Sequence, residues 1–229
     1  MTTNATSGSP DLFLLFQLAD SAFPSGGFAH SGGLEAAWQL GAVRGSMALE
    51  NYVTENLEQC GQAMLPFVSA THQQPARFTE LDLWYNATVL NHVANRASRA
   101  VGMGFLSTAV AAFPVAALAE LKQTIRREPY PGHLPTIIGA VGALLGLSRR
   151  ECQQLFLFQH LRTLMSTAVR LGCIGPLEAQ AIHHRLNVCA NQVADRYQNL
   201  DVSDAATSAP LHDLFQGHHD RLYSRLFMS

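Results

Sequence analysis

A chain of 229 residues that is 48% hydrophobic and only 14% charged can bury a large core and still leave apolar surface for other proteins. Its 15 basic and 17 acidic residues give a formal charge of −2 without any basic run, which argues against nucleic-acid binding, since neutralising phosphates needs clustered Lys and Arg. Cys60, Cys152, Cys173 and Cys189 show no C-x-x-C spacing and follow no secretory leader pattern, so reduced thiols in a cytoplasmic protein are expected.

Residues 1–10 are small and polar, lack the cationic start and apolar middle of a signal peptide, and are read as a disordered lead-in. An apolar helical opening follows. Then comes Phe23-Pro24-Ser25-Gly26-Gly27-Phe28-Ala29-His30-Ser31-Gly32-Gly33-Leu34-Glu35, too apolar for an ordinary surface loop. Glycine at this density points to special backbone angles or to close approach of another chain. The structural reading is a tight turn into a helix that starts at Leu34-Glu35-Ala36-Ala37-Trp38 and stops near Gly41. A phosphate loop does not fit, because no Gly-Lys-Ser/Thr step is present. Ser25 and Ser31 form no G-x-S-x-G elbow, and a helical enzyme using His30 with one of these serines stays as a lesser alternative.

Helical spacing dominates the rest, with no sustained alternation that would mark strands. Leu49, Val53, Leu57, Cys60 and Met64 form a stripe opposite Glu50, Glu55, Glu58 and Gln62, and Pro66 should end or kink that helix. Thr79 is read as the N-cap of a helix carrying Leu83, Ala87, Leu90 and Ala94 inward. Residues 100–119 carry no charge, yet Gly102, Gly104 and Pro114 favour a buried helix broken near Phe113-Pro114 over a membrane span. A helix near Pro135 holds Ile137, Ile138, Val141, Leu144 and Leu145, with Gly139, Ala143 and Gly146 as a small-residue stripe for a close neighbour. Ser148-Arg149-Arg150-Glu151 is a capping box before a helix with Leu155, Phe158, Leu161, Met165 and Val169 inward. Pro176 opens the next helix, whose inner face is Ile182, Leu186, Cys189, Val193 and Tyr197.

These elements predict an all-α protein: a single compact multi-helix domain over residues 11–198, followed by residues 199–229 as a connector and C-terminal docking tail. Residues 199–210 read as a flexible connector. The large apolar residues Tyr223, Leu226, Phe227 and Met228 are unlike a frayed end and suggest docking onto the domain or a partner. Arg96, Arg99 and Arg170 are read as solvated. His212, His218 and His219, with Asp213 and Asp220, suit nickel or zinc in chemistry but match no defined motif, which leaves a histidine-tail metallochaperone as the alternative function.

The segment from Phe23 to Glu35 resembles the signature of the urease accessory protein F family: a Pro-x-Gly step, an aromatic residue, then Ser-x-Gly-Leu-Glu. Ala97-Ser98-Arg99, Gly132-His133-Leu134-Pro135 and the run Tyr223-Ser224-Arg225-Leu226-Phe227-Met228-Ser229 agree with it in the same order. The resemblance implies an all-helical, homodimeric, cytoplasmic, non-catalytic factor with no cofactor. It further implies partners: urease accessory protein D (also called H), the accessory GTPase G and apo-urease, for nickel insertion without nucleic acid or membrane. On matching positions, partner-binding residues would be Pro24, Gly26, Gly27, Phe28, His30, Ser31, Gly33, Glu35, Tyr223, Arg225, Leu226 and Phe227, with Arg225 supporting assembly. Two departures stand out. Residues 172–180 replace a glutamine-rich stretch seen in several members, and Met228 stands where many have a basic residue.

Overall fold

In the computed structural model, residues 11–128 and 130–229 are described, and among them eleven α-helices and no strand occur. The backbone is therefore all-α, as expected; the proposed lead-in, residues 1–10, lies outside the described residues. Helix α1 (Leu12–Ala19) starts at Asp11, whose side chain accepts from the Leu14 amide, and α2 (Leu34–Gln39) follows the glycine-rich segment. Helices α3 (Gly45–Ala63) and α4 (Leu65–Gln73) are separated at Met64, with Pro66 in the first turn of α4, where its missing N–H costs nothing. Helix α5 (Phe78–Thr88) leads to α6 (His92–Ala112), and the chain breaks at Phe113-Pro114-Val115 before α7 (Ala116–Arg127). Helix α8 (Leu134–Leu144) precedes α9 (Arg149–Arg170), whose Ser148 and Glu151 form the anticipated reciprocal cap. Helix α10 (Pro176–Tyr197) and α11 (Pro210–His218) complete the set.

One core runs through the bundle, with Leu57, Phe105, Ile137, Leu161 and Ile182 all essentially inaccessible. Small residues let helices approach within it. A Cβ on Gly139 would lie 2.1 Å from Thr71 Oγ1 on α4, and one on Gly142 would lie 2.1 Å from Cys152 Sγ on α9. The close-packing pair is thus Gly139 and Gly142; Gly146 lies in open space with φ of 80°, ending the helix instead. No described helix is long and apolar enough to cross a membrane.

Several expectations from the sequence are corrected. Helix α5 begins at Phe78, not after Thr79, and buries Phe78, Leu81, Asp82 and Tyr85, while Leu83 and Leu90 are 47% and 91% exposed. Ala94 belongs to α6, capped by Asn91. The inward face of α5 includes a carboxylate, which hydrophobic periodicity cannot detect. Phe158 lies at the rim of α9, edge-on to His183 at 5.6 Å, rather than in the core. The segment 199–210 lies along the bundle: Val202 is buried with Phe67, Leu81 and Tyr85, and the Ser208 and Ala209 amides donate to Gln59 Oε1.

Candidate functional site

The glycine-rich segment is set against α6. Gly104 leaves room for the Ser25 carbonyl, which a Cβ there would approach to 2.4 Å, and Thr108 Oγ1 donates to the Pro24 carbonyl at 2.9 Å. Gly33, at φ 84°, starts α2 in a left-handed conformation, and a Cβ on it would lie 3.1 Å from the Gln216 amide nitrogen of α11. The segment is thus held between α6 on one side and the last helix on the other.

The end of the chain closes over it. The Met228 amide donates to the Ala29 carbonyl at 2.8 Å, and the Ser31 amide donates to the Ser229 carbonyl at 2.6 Å. His30 Nδ1 meets the Ser229 hydroxyl. Glu35, 1% exposed, accepts the Leu226 amide on Oε1 at 2.6 Å and the Phe227 amide on Oε2 at 3.3 Å. A buried carboxylate is costly unless hydrogen-bonded, so these two amides are what it needs, and the tail backbone is fixed in return. Phe227 is buried beneath the Arg170 guanidinium, 4.2 Å from its ring centroid, and Arg170 also donates to the Phe28 carbonyl. Gln39 Nε2 donates to the Ser224 carbonyl at 3.0 Å.

Upstream, the tail is held by Asp220, which takes two N–H groups of Arg96 and one from His92 Nε2 at 3.0 Å. The Arg96 hydrogen bonds hold its carboxyl well below the usual range. Arg225 Nη1 lies 3.7 Å from the same carboxylate.

Of the expected partner-binding residues, the fold unites His30, Ser31 and Glu35 with Leu226 and Phe227 in one clasp, with the Pro24 and Phe28 carbonyls anchoring its near side. Gly26, at φ 81°, and Gly27 shape the turn before it. Tyr223 stands clear of the bundle and is fully exposed. Arg96 and Arg170 are exposed, as read from sequence, and both also hold the clasp. Arg96 and Asp220 are 124 residues apart, so neither charge announced its partner.

The hydroxyl on His30 belongs to Ser229, not Ser25 or Ser31, and the buried Ser31 hydroxyl has no partner. The serine–histidine pairing weighed for an enzyme is therefore not formed. The tail histidines diverge as well. His212 contacts Asn56 and lies 3.1 Å from Glu55, whereas His219 is buried beside Glu35, and no group of three or more potential ligands occurs among the described residues. Asn56 bridges two rings, its Oδ1 accepting from His160 Nε2 at 2.9 Å while its Nδ2 faces His212 Nδ1. These residues and His30 line a cavity of about 640 Å³ beneath the glycine-rich segment.

The block Gly132-His133-Leu134-Pro135 has a structural role. Asp82, fully buried, accepts the Gly132 amide at 2.7 Å, the His133 amide at 2.9 Å and Thr136 Oγ1 at 2.6 Å, so a side chain from α5 caps the start of α8. Burial pushes the Asp82 carboxyl upward against the pull of these hydrogen bonds. Burial, reinforced by Arg99, lowers His133 to about 3.

The UreF family model matches residues 43–187. Urease accessory protein F of Oryza sativa subsp. indica is 35% identical over 230 residues, covering 98% of this chain and 88% of the rice protein. The protein of the same name from Arabidopsis thaliana is 35% identical over 218 residues, covering 93% of this chain and 91% of its own length. Urease accessory protein UreF of Mycobacterium tuberculosis (strain ATCC 25177 / H37Ra) is 29% identical over 218 residues, with 95% and 99% covered. Agreement at this level along nearly the entire chain places it in the urease accessory protein F family.

Proposed function

We propose that this chain is a non-catalytic, cytoplasmic scaffold of urease maturation, which joins accessory protein D/H and the accessory GTPase G on apo-urease for nickel insertion. The clasp carries this reading. Glu35 fixes the tail on the glycine-rich segment through backbone amides, so the side chains of Phe28, Tyr223, Leu226 and Met228 remain 69%, 105%, 53% and 73% exposed. Apolar side chains on a hydrogen-bonded frame are what a partner surface requires: the frame limits the entropy lost on binding, and the side chains supply the area. In this reading the clasp takes up the D/H protein, and a homodimer offers two copies of a second face to the GTPase.

Co-purification of the full chain with its D/H and GTPase partners tests the reading. A discrete assembly with two copies of this chain is the expected result, whereas a monomer that ignores both partners would overturn it. Deleting residues 223–229 should leave a folded helical protein that no longer captures the D/H protein. Capture by the deleted form would remove the clasp from the mechanism.

A further inference from the structure

Helix α1 has no part in the clasp and is the least explained element of the surface. Its eight residues carry no charge, and only Leu18 among them is fully buried. Leu14 and Leu15 pack partly against the core, while Leu12, Phe13 and Phe16 are 50%, 85% and 61% exposed. One apolar side chain in water is ordinary, but three large ones within two turns form the kind of patch that marks an interaction site. The helix is nonetheless held in place. Its last carbonyls have no intrahelical donor and accept from α9: Gln159 Nε2 donates to the Leu18 carbonyl at 2.9 Å, and Arg162 donates to the Ala19 carbonyl. Both donors belong to a core helix, so α1 keeps this place whether the tail is down or free.

The same side of α9 leads to the clasp. Gln159, Arg162, Thr163 and Arg170 occupy successive turns of one helix face. A Cβ on Gly27 would lie 3.9 Å from Thr163 Oγ1, and Arg170 donates to the Phe28 carbonyl and covers Phe227. From Gln159 to Arg170 is only about 16 Å along the helix axis. The open rings of α1 and the apolar side chains of the clasp therefore line one edge of the bundle. Area shows why the two belong together. A whole aromatic side chain offers about 200 Å², so Phe28 and Tyr223 supply roughly 350 Å², less than half of the ~800 Å² each partner gives up in a stable complex. Phe13 and Phe16 add roughly 300 Å², and Leu12, Leu226 and Met228 bring the total to what such a complex needs. Alone, α1 falls well short of what a stable dimer of this chain would bury.

We propose that α1 is part of the docking surface for the D/H protein, with Phe13 and Phe16 seated in an apolar, uncharged recess of that partner. This rests on the function proposed above and extends its interface from the clasp along α9. Charge near the patch is confined to Asp11 and Asp20 at the two ends of α1, so an uncharged recess is the chemistry that fits between them.

The affinity of the full chain for the D/H protein tests this, with F13S/F16S as the variant and L83S, an exposed apolar residue of α5, as the control. Helical circular dichroism should be unchanged in both, because the replaced side chains face solvent. F13S/F16S should bind about a hundredfold more weakly, tenfold for each aromatic anchor, and L83S as well as the unmodified chain. Undiminished capture by F13S/F16S, or an equal loss in L83S, would overturn the proposal while leaving the scaffold in place. A full chain that captures no D/H protein overturns the scaffold and this extension together. If F13S/F16S keeps capture but loses self-association in sedimentation, α1 faces a second copy and the proposal fails. Should F13S/F16S not fold, amide hydrogen exchange of the unmodified chain decides: slower exchange in residues 12–19 on adding the D/H protein supports the docking, and unchanged exchange refutes it.

Discussion

Replacing Asp82 by Ala removes a single carboxylate that joins α5 to the first turn of α8. It accepts three hydrogen bonds, from the Gly132 amide, the His133 amide and the Thr136 hydroxyl, at 2.7, 2.9 and 2.6 Å. Hydrogen bonds to a charged group contribute about 1.5–3 kcal/mol each, and the two orphaned amides would lie in a region closed to water. Part of that gain is offset by the carboxylate's own desolvation, which is why its proton affinity is raised. The net loss expected for D82A is about 2–6 kcal/mol, from two buried amides left without a partner at about 1–3 kcal/mol each. Domains are stable by only about 5–15 kcal/mol, so this is a large share of the total. Urea unfolding followed by helical circular dichroism measures it, with a lowered midpoint and an unchanged slope expected. D82N keeps one acceptor oxygen and should fall between. A loss under about 1 kcal/mol for D82A would refute the reasoning, since the loss of a needed buried acceptor costs more than that.

His133, lowered to about 3 from 6.5, gives stability that is complete above pH 6.5 and lost as pH falls toward the folded value. Between about pH 7.5 and 5.5 it should account for about 1.4 kcal/mol, and H133Q, compared by urea unfolding at both pH values, should flatten the pH dependence by that amount. Gly104→Ala sets a Cβ 2.4 Å from the Ser25 carbonyl, so the glycine-rich segment must shift, at about 1–3 kcal/mol in the same assay and with weaker capture of the D/H protein. Gly217→Ala, in a helix and with its nearest neighbouring atom at 3.6 Å, should cost nothing and serves as the control.

What could be read in the sequence was local. Ser148 and Glu151, three positions apart, cap α9 wherever the rest of the chain goes, and Pro135 and Pro176 mark first turns because their ring fixes φ and removes a donor, while Pro66, read as the end or kink of α3, lies in the first turn of α4 just past the break at Met64. The break at Phe113-Pro114 follows the same rule. Unreadable features depend on contacts between distant residues. Asp82 occupies an inward position that an apolar residue would ordinarily fill, and its partners lie about fifty residues on. Nothing near His212 and His219 in sequence marks Asn56 or Glu35 as their neighbours. For the clasp, the two halves were visible as an unusual glycine cluster and an unusually apolar end. Their joining by Glu35, Arg96 and Arg170 was not, since helix-surface charges read alike whether they face water or another segment.

The distance along the chain between the halves of the clasp has a consequence for its biosynthesis. His30 and Ser229 are 199 residues apart, and at roughly 5–20 residues per second the ribosome takes on the order of ten to forty seconds to pass from one to the other. Throughout that interval the glycine-rich half is made while its covering segment does not yet exist. A nascent or prematurely terminated chain can build the helices around α3, α4 and α8, but it cannot present the assembled face. Possession of that face therefore identifies a polypeptide whose translation has run through its final helix.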